Sequence, residues 1–168
     1  MSCFVAWGDK LASEGPAAFY SADYFADYPP GYILVLGLVS LVRKALQLSY
    51  ESRWTYFLLA LIPAICDCAA VVLLDHISRR YMGQGRAQRC LVLFAAFCPL
   101  TLFDTGIWKQ IDGAFALPLL LCFWLLEERR YLLAAVLYGV ALAIKPQALL
   151  AGPVLAVCFL AVSYTHLT

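Results

Sequence analysis

The stretch WTYFLLALIPAICDCAAVVLL, residues 54–74, decides the fold of this chain. An apolar helix of this length, rising 1.5 Å per residue, spans a hydrocarbon core of about 30 Å. Its one charged residue is Asp67. Because a charge at the bilayer centre costs on the order of 3 kcal/mol, we expect Asp67 to face the inside of a helix bundle. A hydroxyl, an amide or a basic side chain is the expected partner.

The composition of the whole chain agrees with a membrane protein. Hydrophobic residues make up 64% and charged residues 14%, and the mean hydropathy is +0.80. A soluble domain has nearly half apolar and about 25% charged residues. We therefore predict an all-α, polytopic transmembrane helix bundle with about five or six apolar segments. The net charge of +1 and the scattered Lys and Arg residues argue against nucleic-acid binding.

The chain divides into three predicted regions. Residues 1–30 are polar and aromatic and are expected to form an extracytoplasmic loop at the membrane surface, and residues 31–162 to form the helical bundle. Residues 163–168, SYTHLT, resemble a non-native tail. Besides residues 54–74, the bundle holds shorter apolar segments that must extend into their flanks to cross, namely 31–42, 90–103, 113–126, 131–144 and 148–162.

Charge placement predicts which loops share a side of the membrane. One loop carries Arg79, Arg80, Arg86 and Arg89, and a second carries Arg129 and Arg130. Because Arg and Lys are retained on the cytoplasmic side, we expect both loops there and the motifs WKQID (108–112) and KPQ (145–147) outside. Residues 31–42 are too short for a comfortable crossing. A re-entrant or interfacial course for them would bring YPP (28–30) to the same outer face.

Cysteine chemistry is not expected to carry the function. Six of the seven cysteines lie inside or at the ends of apolar segments. Cys66 and Cys68 are two residues apart, so on a helix they face different sides, and the sequence has no second pair. We therefore predict neither a disulfide framework nor a metal site.

The segment FDTGIWKQIDG (103–113) holds the densest group of polar side chains. If it is helical, Asp104, Trp108 and Asp112 share one face by their spacing of four residues. An aromatic ring beside carboxylates suits a sugar, since the ring covers its apolar face and the acids accept hydroxyl protons. The alternative is an interfacial tryptophan next to a polar loop.

Lys145 lies where Pro146 disfavours helical geometry and starts a new helix. A cation beside the free N–H groups of a helix start suits a phosphate. The alternative is a lysine that reaches from an ordinary loop to the membrane surface. In the first loop Asp27 precedes the Pro29–Pro30 corner, and Asp9, Glu14 and Asp23 are further acids that could act as a general base.

Six segments in this order resemble a known family: WGDKLASEGPAAFY, FADYPPGYILVLG, LLDHISRR, FCPLTLFDTGIWKQID, EERR and GVALAIKPQALLAGPV. The chain is similar, from about Phe4 to Val154, to bacterial mannosyltransferase-like members of the GT-C superfamily. These are close to the family that adds the second mannose of glycosylphosphatidylinositol anchors. The resemblance implies transfer of a sugar, with mannose expected, from a polyprenyl-phosphate donor. The acceptor would be a hydroxyl of a lipid or glycan on the extracytoplasmic face of a bacterial inner membrane.

The resemblance also implies roles for individual residues. KPQ matches in full, which points to Lys145 and Gln147 at the donor phosphate. Trp108, Gln110 and Asp112 match the family pattern and are expected at the sugar, whereas Lys109 stands where the family has glycine. No metal or other cofactor is expected, because a cation already meets the phosphate.

The same resemblance raises the question of completeness. Family members begin with a membrane helix that an acidic residue follows at once, so the true general base is expected upstream of Met1, with Asp27 and Asp9 as weaker candidates. They also continue for several more helices. This chain is therefore expected to be an inactive fragment.

An alternative of a different class is a small transporter or channel-like bundle. In that reading Asp67 and Lys145 are intramembrane charges on a permeation path. An inverted internal repeat would favour it, and the sequence shows none.

Overall fold

The computed structural model describes residues 2–21 and 24–165. All regular secondary structure in these residues is helical, which confirms the predicted all-α class. The α-helices are α1 (Ser2–Glu14), α2 (Pro16–Phe19), α3 (Pro30–Ala45), α4 (Arg53–Met82), α5 (Arg86–Ala96), α6 (Pro99–Phe103), α7 (Asp112–Glu127), α8 (Tyr131–Ile144) and α9 (Gly152–Thr165). A π-helical turn, Asp104–Trp108, continues α6, and a 3-10 helix, Pro146–Ala151, joins α8 to α9.

Helix α4 is the longest element and extends beyond the apolar stretch that predicted it. It begins where the Ser52 hydroxyl accepts a hydrogen bond of 3.3 Å from the Trp54 N–H, and it ends before Gly83, whose φ is 65°. Beyond the apolar stretch, Asp75 and Arg79 form an ion pair of 2.7 Å one helical turn apart. This pair helps the helix to continue to Met82.

Two described segments are long and apolar enough to cross a membrane: α4, and the segment Arg86–Trp108 that contains α5 and α6. Only 11% and 6% of their most apolar windows are buried inside the structure. Large side chains such as Val72 and Phe94, each 70% exposed, therefore point outward. Apolar surface of this extent is unusual on a soluble monomer, so its presence favours the predicted membrane setting.

The second half of α4 lies alongside α7 and runs in the same direction. Asp67 lies against Gly113, the rings of His76 and Trp124 are 5.8 Å apart, and Arg80 forms an ion pair with Glu128. Helix α8 returns beside α7. The two arginine-bearing connections consequently lie at one end of the bundle, as predicted, and we term this the arginine end. The starts of α7 and of the 3-10 helix lie at the opposite end, which we term the lysine end.

Residues 1–30, expected as a surface loop, contain the helices α1 and α2. Apolar residues of α1 recur at helical spacing and pack on α3, where Gly8 lies against the Leu36 carbonyl and Leu11 against Gly37. Their shared core includes Trp7 and Tyr32 and extends to Leu59 of α4 and to Ile111 at the start of α7. The N-terminal helices thus form a layer on the first half of α4.

Helix α3 begins at the lysine end, where Gly31 lies against the backbone of Ala143 at the end of α8. A Cβ on Gly31 would lie 2.6 Å from the Ala143 carbonyl oxygen, closer than real Cβ contacts allow. This approach holds the preceding residues Tyr28 and Pro29 next to Lys145. A larger residue at position 31 would separate them.

The contact between α4 and α7 depends on Gly113 and gives a test of the packing. A Cβ there would clash with Asp67 Oδ1 and would lie 2.9 Å from the Pro63 carbonyl oxygen. We expect Gly113→Ala to lower the free energy of unfolding by about 1–3 kcal/mol through overpacking. SDS titration of the purified protein in bicelles measures this change.

Gly139→Ala is the matched control, because nothing lies within 4 Å of a Cβ at this helical glycine. Alanine there should raise the free energy of unfolding by roughly 0.5–1 kcal/mol, since it restricts the unfolded chain. Equal effects at the two positions would contradict the close contact between α4 and α7.

Candidate active site

The three motifs predicted to share one face meet at the lysine end. The Tyr28 hydroxyl donates a hydrogen bond of 3.3 Å to Gln110 Oε1, and Lys145 forms an ion pair with Asp112. Both contacts join residues that lie far apart in the chain. YPP, WKQID and KPQ therefore form one cluster of side chains.

A reversal of the chain at Lys109 builds the WKQID part of this cluster. The π-helical turn ends there, Lys109 adopts the left-handed conformation with φ 54° and ψ 40°, and α7 begins at Asp112. The shared face of Asp104, Trp108 and Asp112 was expected only if the segment is one helix, and the reversal breaks that helix. The reversal nevertheless brings the carboxyl groups of Asp104 and Asp112 close together. The left-handed region favours glycine, which accounts physically for the glycine expected at position 109.

Trp108 lies at the lysine end but outside the enclosed part of the cluster. Its ring packs edge-on against Phe103, with the ring centres 5.3 Å apart, and its side chain is largely exposed. It is not among the residues that line the cavity beside Lys145. The Trp108 indole is therefore exposed at the lysine end, outside the lysine cavity.

A cavity of about 770 Å³ opens beside Lys145, and we term it the lysine cavity. Its wall carries both polar and apolar side chains, and the apolar ones include the exposed Leu149 and Leu150. The lining residues are Asp27, Tyr28, Pro29, Lys145, Pro146, Gln147, Leu149, Leu150 and Pro153. Two predicted phosphate-site residues, Lys145 and Gln147, thus share a cavity with one predicted base, Asp27.

The backbone at Lys145 leaves helical geometry, as the sequence predicted. Lys145 is extended, with φ −148° and ψ 123°, and its N–H donates to the Ala141 carbonyl. The element that follows begins as a 3-10 helix, Pro146–Ala151, and continues directly into α9, so a helix starts after Lys145 as expected. The Lys145 ammonium, whose side chain is 16% exposed, supplies positive charge next to this helix start.

Tyr28 is a functional candidate that the sequence did not single out. Burial raises the pKa of its phenol, and the nearby carboxylates of Asp27, Asp112 and Asp104 raise it further. The hydroxyl therefore stays protonated and serves as a neutral donor to Gln110. The sequence pointed to Tyr28 only through its position directly after the candidate base Asp27. The fold shows that its hydroxyl reaches Gln110.

Asp67 has the hydroxyl partner that was one of its predicted possibilities. The Thr105 hydroxyl donates a hydrogen bond to Asp67 Oδ2 inside the bundle. Asp67 also interacts electrostatically with Asp112 and Asp104. A row of acidic groups therefore runs from the lysine cavity into the interior.

The structure places Asp9 away from the lysine cavity. Arg43 donates two hydrogen bonds to its carboxylate, of 2.6 and 2.8 Å, and Ser40 donates another. Burial raises the pKa of Asp9, but these hydrogen bonds and the charges of Arg43 and Lys44 outweigh it and hold the pKa below its usual range. Arg43 lies 13 residues along α3 from Pro30, roughly 20 Å at 1.5 Å per residue.

The other acids predicted in the first loop do not line the lysine cavity in the described part of the chain. Glu14 forms an ion pair of 3.1 Å with Lys10 on α1, and Asp23 lies outside the described residues.

Within the described part of the chain, no group of three or more His, Cys, Asp or Glu side chains is arranged to hold a metal ion. Among the described residues that line the lysine cavity, Lys145 is the one with a cationic side chain.

Comparison with known proteins gives one family match. The model of glycosyltransferase family 87 matches residues 25–162, a range that contains the whole lining of the lysine cavity. No curated protein and no solved structure matches the chain. The match supports the predicted glycosyltransferase class over the transporter alternative, and the particular kinship with the second mannosyltransferase of anchor synthesis stays a prediction. The chain belongs to glycosyltransferase family 87.

Proposed function

We propose that this protein is a multi-pass membrane glycosyltransferase that moves mannose from a polyprenyl-phosphate donor to an acceptor hydroxyl. The observation that carries the proposal is the lysine cavity, in which a cation, a carboxylate and an apolar wall lie together. Family membership supplies the reaction class, transfer of a glycosyl group. The chemistry of the cavity supports the finer assignments of donor and residue roles.

The donor fits the mixture of polar and apolar side chains that line the cavity. Lys145 and Gln147 face the phosphate, with the ammonium as its counter-charge, and Leu149 and Leu150 contact the first isoprene units. In the free protein Asp112 holds the ammonium in place. A bound phosphate then shares or replaces that carboxylate, so the lysine needs little rearrangement to meet its ligand.

The transfer step follows from these positions. The acceptor oxygen forms a bond to the anomeric carbon while the bond from that carbon to the phosphate oxygen breaks, with inversion at carbon. In place of the upstream acid that the resemblance implied, Asp27, which lines the cavity, takes the acceptor proton, and polyprenyl phosphate leaves with its added negative charge next to Lys145. Gln110 and Asp112 hydrogen-bond the sugar hydroxyls, and Trp108 covers the part of the sugar that extends from the cavity.

Removal of the cation tests the donor assignment. Lys145→Ala should lower kcat by about 10²–10³, because the leaving phosphate loses its counter-charge. Lys109→Ala is the matched control, since this lysine of the same site has its ammonium 5.9 Å from the centre of the Tyr56 ring and does not line the cavity. Transfer of radiolabelled mannose from polyprenyl phosphate to a membrane extract gives the rates. Equal losses in the two variants would refute the role of Lys145.

The general base has a separate test. Asp27→Asn should lower kcat by about 10²–10⁴ and leave KM for the donor nearly unchanged, because only proton removal is lost. Asp9→Asn, which affects the carboxylate tied to Arg43, should weaken the contact between α1 and α3 while transfer per folded molecule persists. Unimpaired transfer by Asp27→Asn would exclude it as the base.

The proposed orientation places the lysine end on the extracytoplasmic side. Lys109 lies at the lysine end and the exposed residue Gln84 in the connection at the arginine end, so the two positions suit labelling from opposite sides. In intact cells we expect an impermeant maleimide to label Lys109→Cys at once and Gln84→Cys only after permeabilisation, with peptide mass spectrometry as the readout. Labelling of Gln84→Cys in intact cells would reverse the orientation.

A further inference from the structure

A second cavity of about 710 Å³ lies between α4, the α5–α6 segment and α7, and we term it the lateral groove. It lies between the two segments that are long and apolar enough to cross a membrane. Most of the side chains that line it are apolar or small, as a hydrocarbon chain requires, and among them are Leu74, Phe94 and Ala116.

Polarity is unevenly distributed along the groove. Asp67 and Thr105 form a hydrogen-bonded pair on one part of the wall, and Asp67 interacts with Asp112 of the active site. Leu74 lies seven residues further along α4 toward the arginine end, about 10 Å away at 1.5 Å per residue. The groove is therefore polar next to the active site and apolar further from it, which is the profile of an amphiphile.

The charge of the groove separates it from the lysine cavity. Asp67 is the only charged side chain among the described residues that line it, and none of these is Lys, Arg or His. A phosphate next to Asp67 would be repelled, and the repulsion is strong where little water screens it. A hydroxyl, in contrast, can donate to the carboxylate. The two cavities thus favour opposite kinds of lipid head.

We propose that the lateral groove binds the acceptor, a lipid whose head carries several hydroxyls and no phosphate in contact with Asp67. Its hydrocarbon chain lies along α4 and α7, one hydroxyl of the head donates to Asp67, and a neighbouring hydroxyl extends past Asp112 toward the donor sugar. This inference rests on the proposed function, since it names the second substrate of the same site. It assigns Asp67 to substrate recognition in addition to its bond with Thr105.

Two photoreactive probes with the same diazirine-bearing decyl tail test the head preference. One carries a neutral mannoside head and the other a phosphate head. With the purified protein in nanodiscs, we expect the mannoside to label groove peptides at concentrations about tenfold lower than the phosphate, which corresponds to a repulsion of about 1.4 kcal/mol. Asp67→Lys should invert this preference, and Asp67→Asn, which changes the side chain least, should abolish it.

Matched variants locate the probe. Ala116→Trp fills the groove and should remove labelling by the mannoside, whereas Ala135→Trp, at an exposed alanine of α8 that does not line the groove, should leave it unchanged. Labelling outside the groove peptides, equal labelling by the two probes, or an unchanged preference in both Asp67 variants would overturn the proposal. Labelling outside the groove peptides is the result expected if a segment of protein, and not a lipid, filled the groove.

Labelling of the groove by the probes and transfer of mannose are separate measurements, so the acceptor groove and the donor site can be refuted independently. Lys145→Ala should leave labelling by the mannoside intact, because Lys145 does not line the lateral groove. If Lys145→Ala retained full transfer while the probes behaved as expected, the donor assignment would fail and the groove assignment would stand. The opposite pair of results would retain the donor site and remove the acceptor groove.

Discussion

The ion pair between Lys145 and Asp112 is the interaction on which the site depends. It joins the residue after α8 to the first residue of α7, and thus ties the two ends of a helical hairpin to each other. Such a partly buried pair gains little net stability, because removing both charges from water offsets most of their attraction. Its value lies in position: the ammonium points into the lysine cavity, with its counter-charge already beside it. The hydrogen bond from Tyr28 to Gln110 attaches the N-terminal layer to the same point.

Two glycines allow the pair to form. Gly113, next to Asp112, places the start of α7 against Asp67 and the Pro63 carbonyl, and Gly31 places the start of α3 against Ala143 near Lys145. A side chain at either position would move one wall of the site. Close backbone approach is also how helices pack in a membrane, where apolar burial gives no driving force between them. The geometry of the polar site therefore depends on backbone contacts at two glycines, which carry no functional side chain.

The sequence predicts the parts of this structure that composition and charge determine. Helix α8 has the predicted bounds 131–144, the arginine-bearing connections share one end, and the three polar motifs meet. Contacts between side chains that lie far apart in the sequence could not be predicted from it. Asp9 is an acid in a polar loop until α3 folds against α1 and presents Arg43 to it. Lys109 sits at a reversal that spacing rules read as a continuous helix, because a π-helical turn leaves no signature in hydrophobic periodicity.

The charged side chains of the two cavities explain how each cavity would select a different one of the two proposed lipids. Both candidate cavities are lined in part by apolar side chains, so contacts with a hydrocarbon chain would not distinguish the two lipids. The lysine cavity adds an ammonium whose carboxylate partner a phosphate can replace, whereas the lateral groove adds an aspartate whose partner is a neutral hydroxyl. Asp112 lies between these settings and interacts with both Lys145 and Asp67. A sugar held at Asp112 would be within reach of a phosphate leaving group on one side and a hydroxyl on the other, which is the arrangement that glycosyl transfer requires.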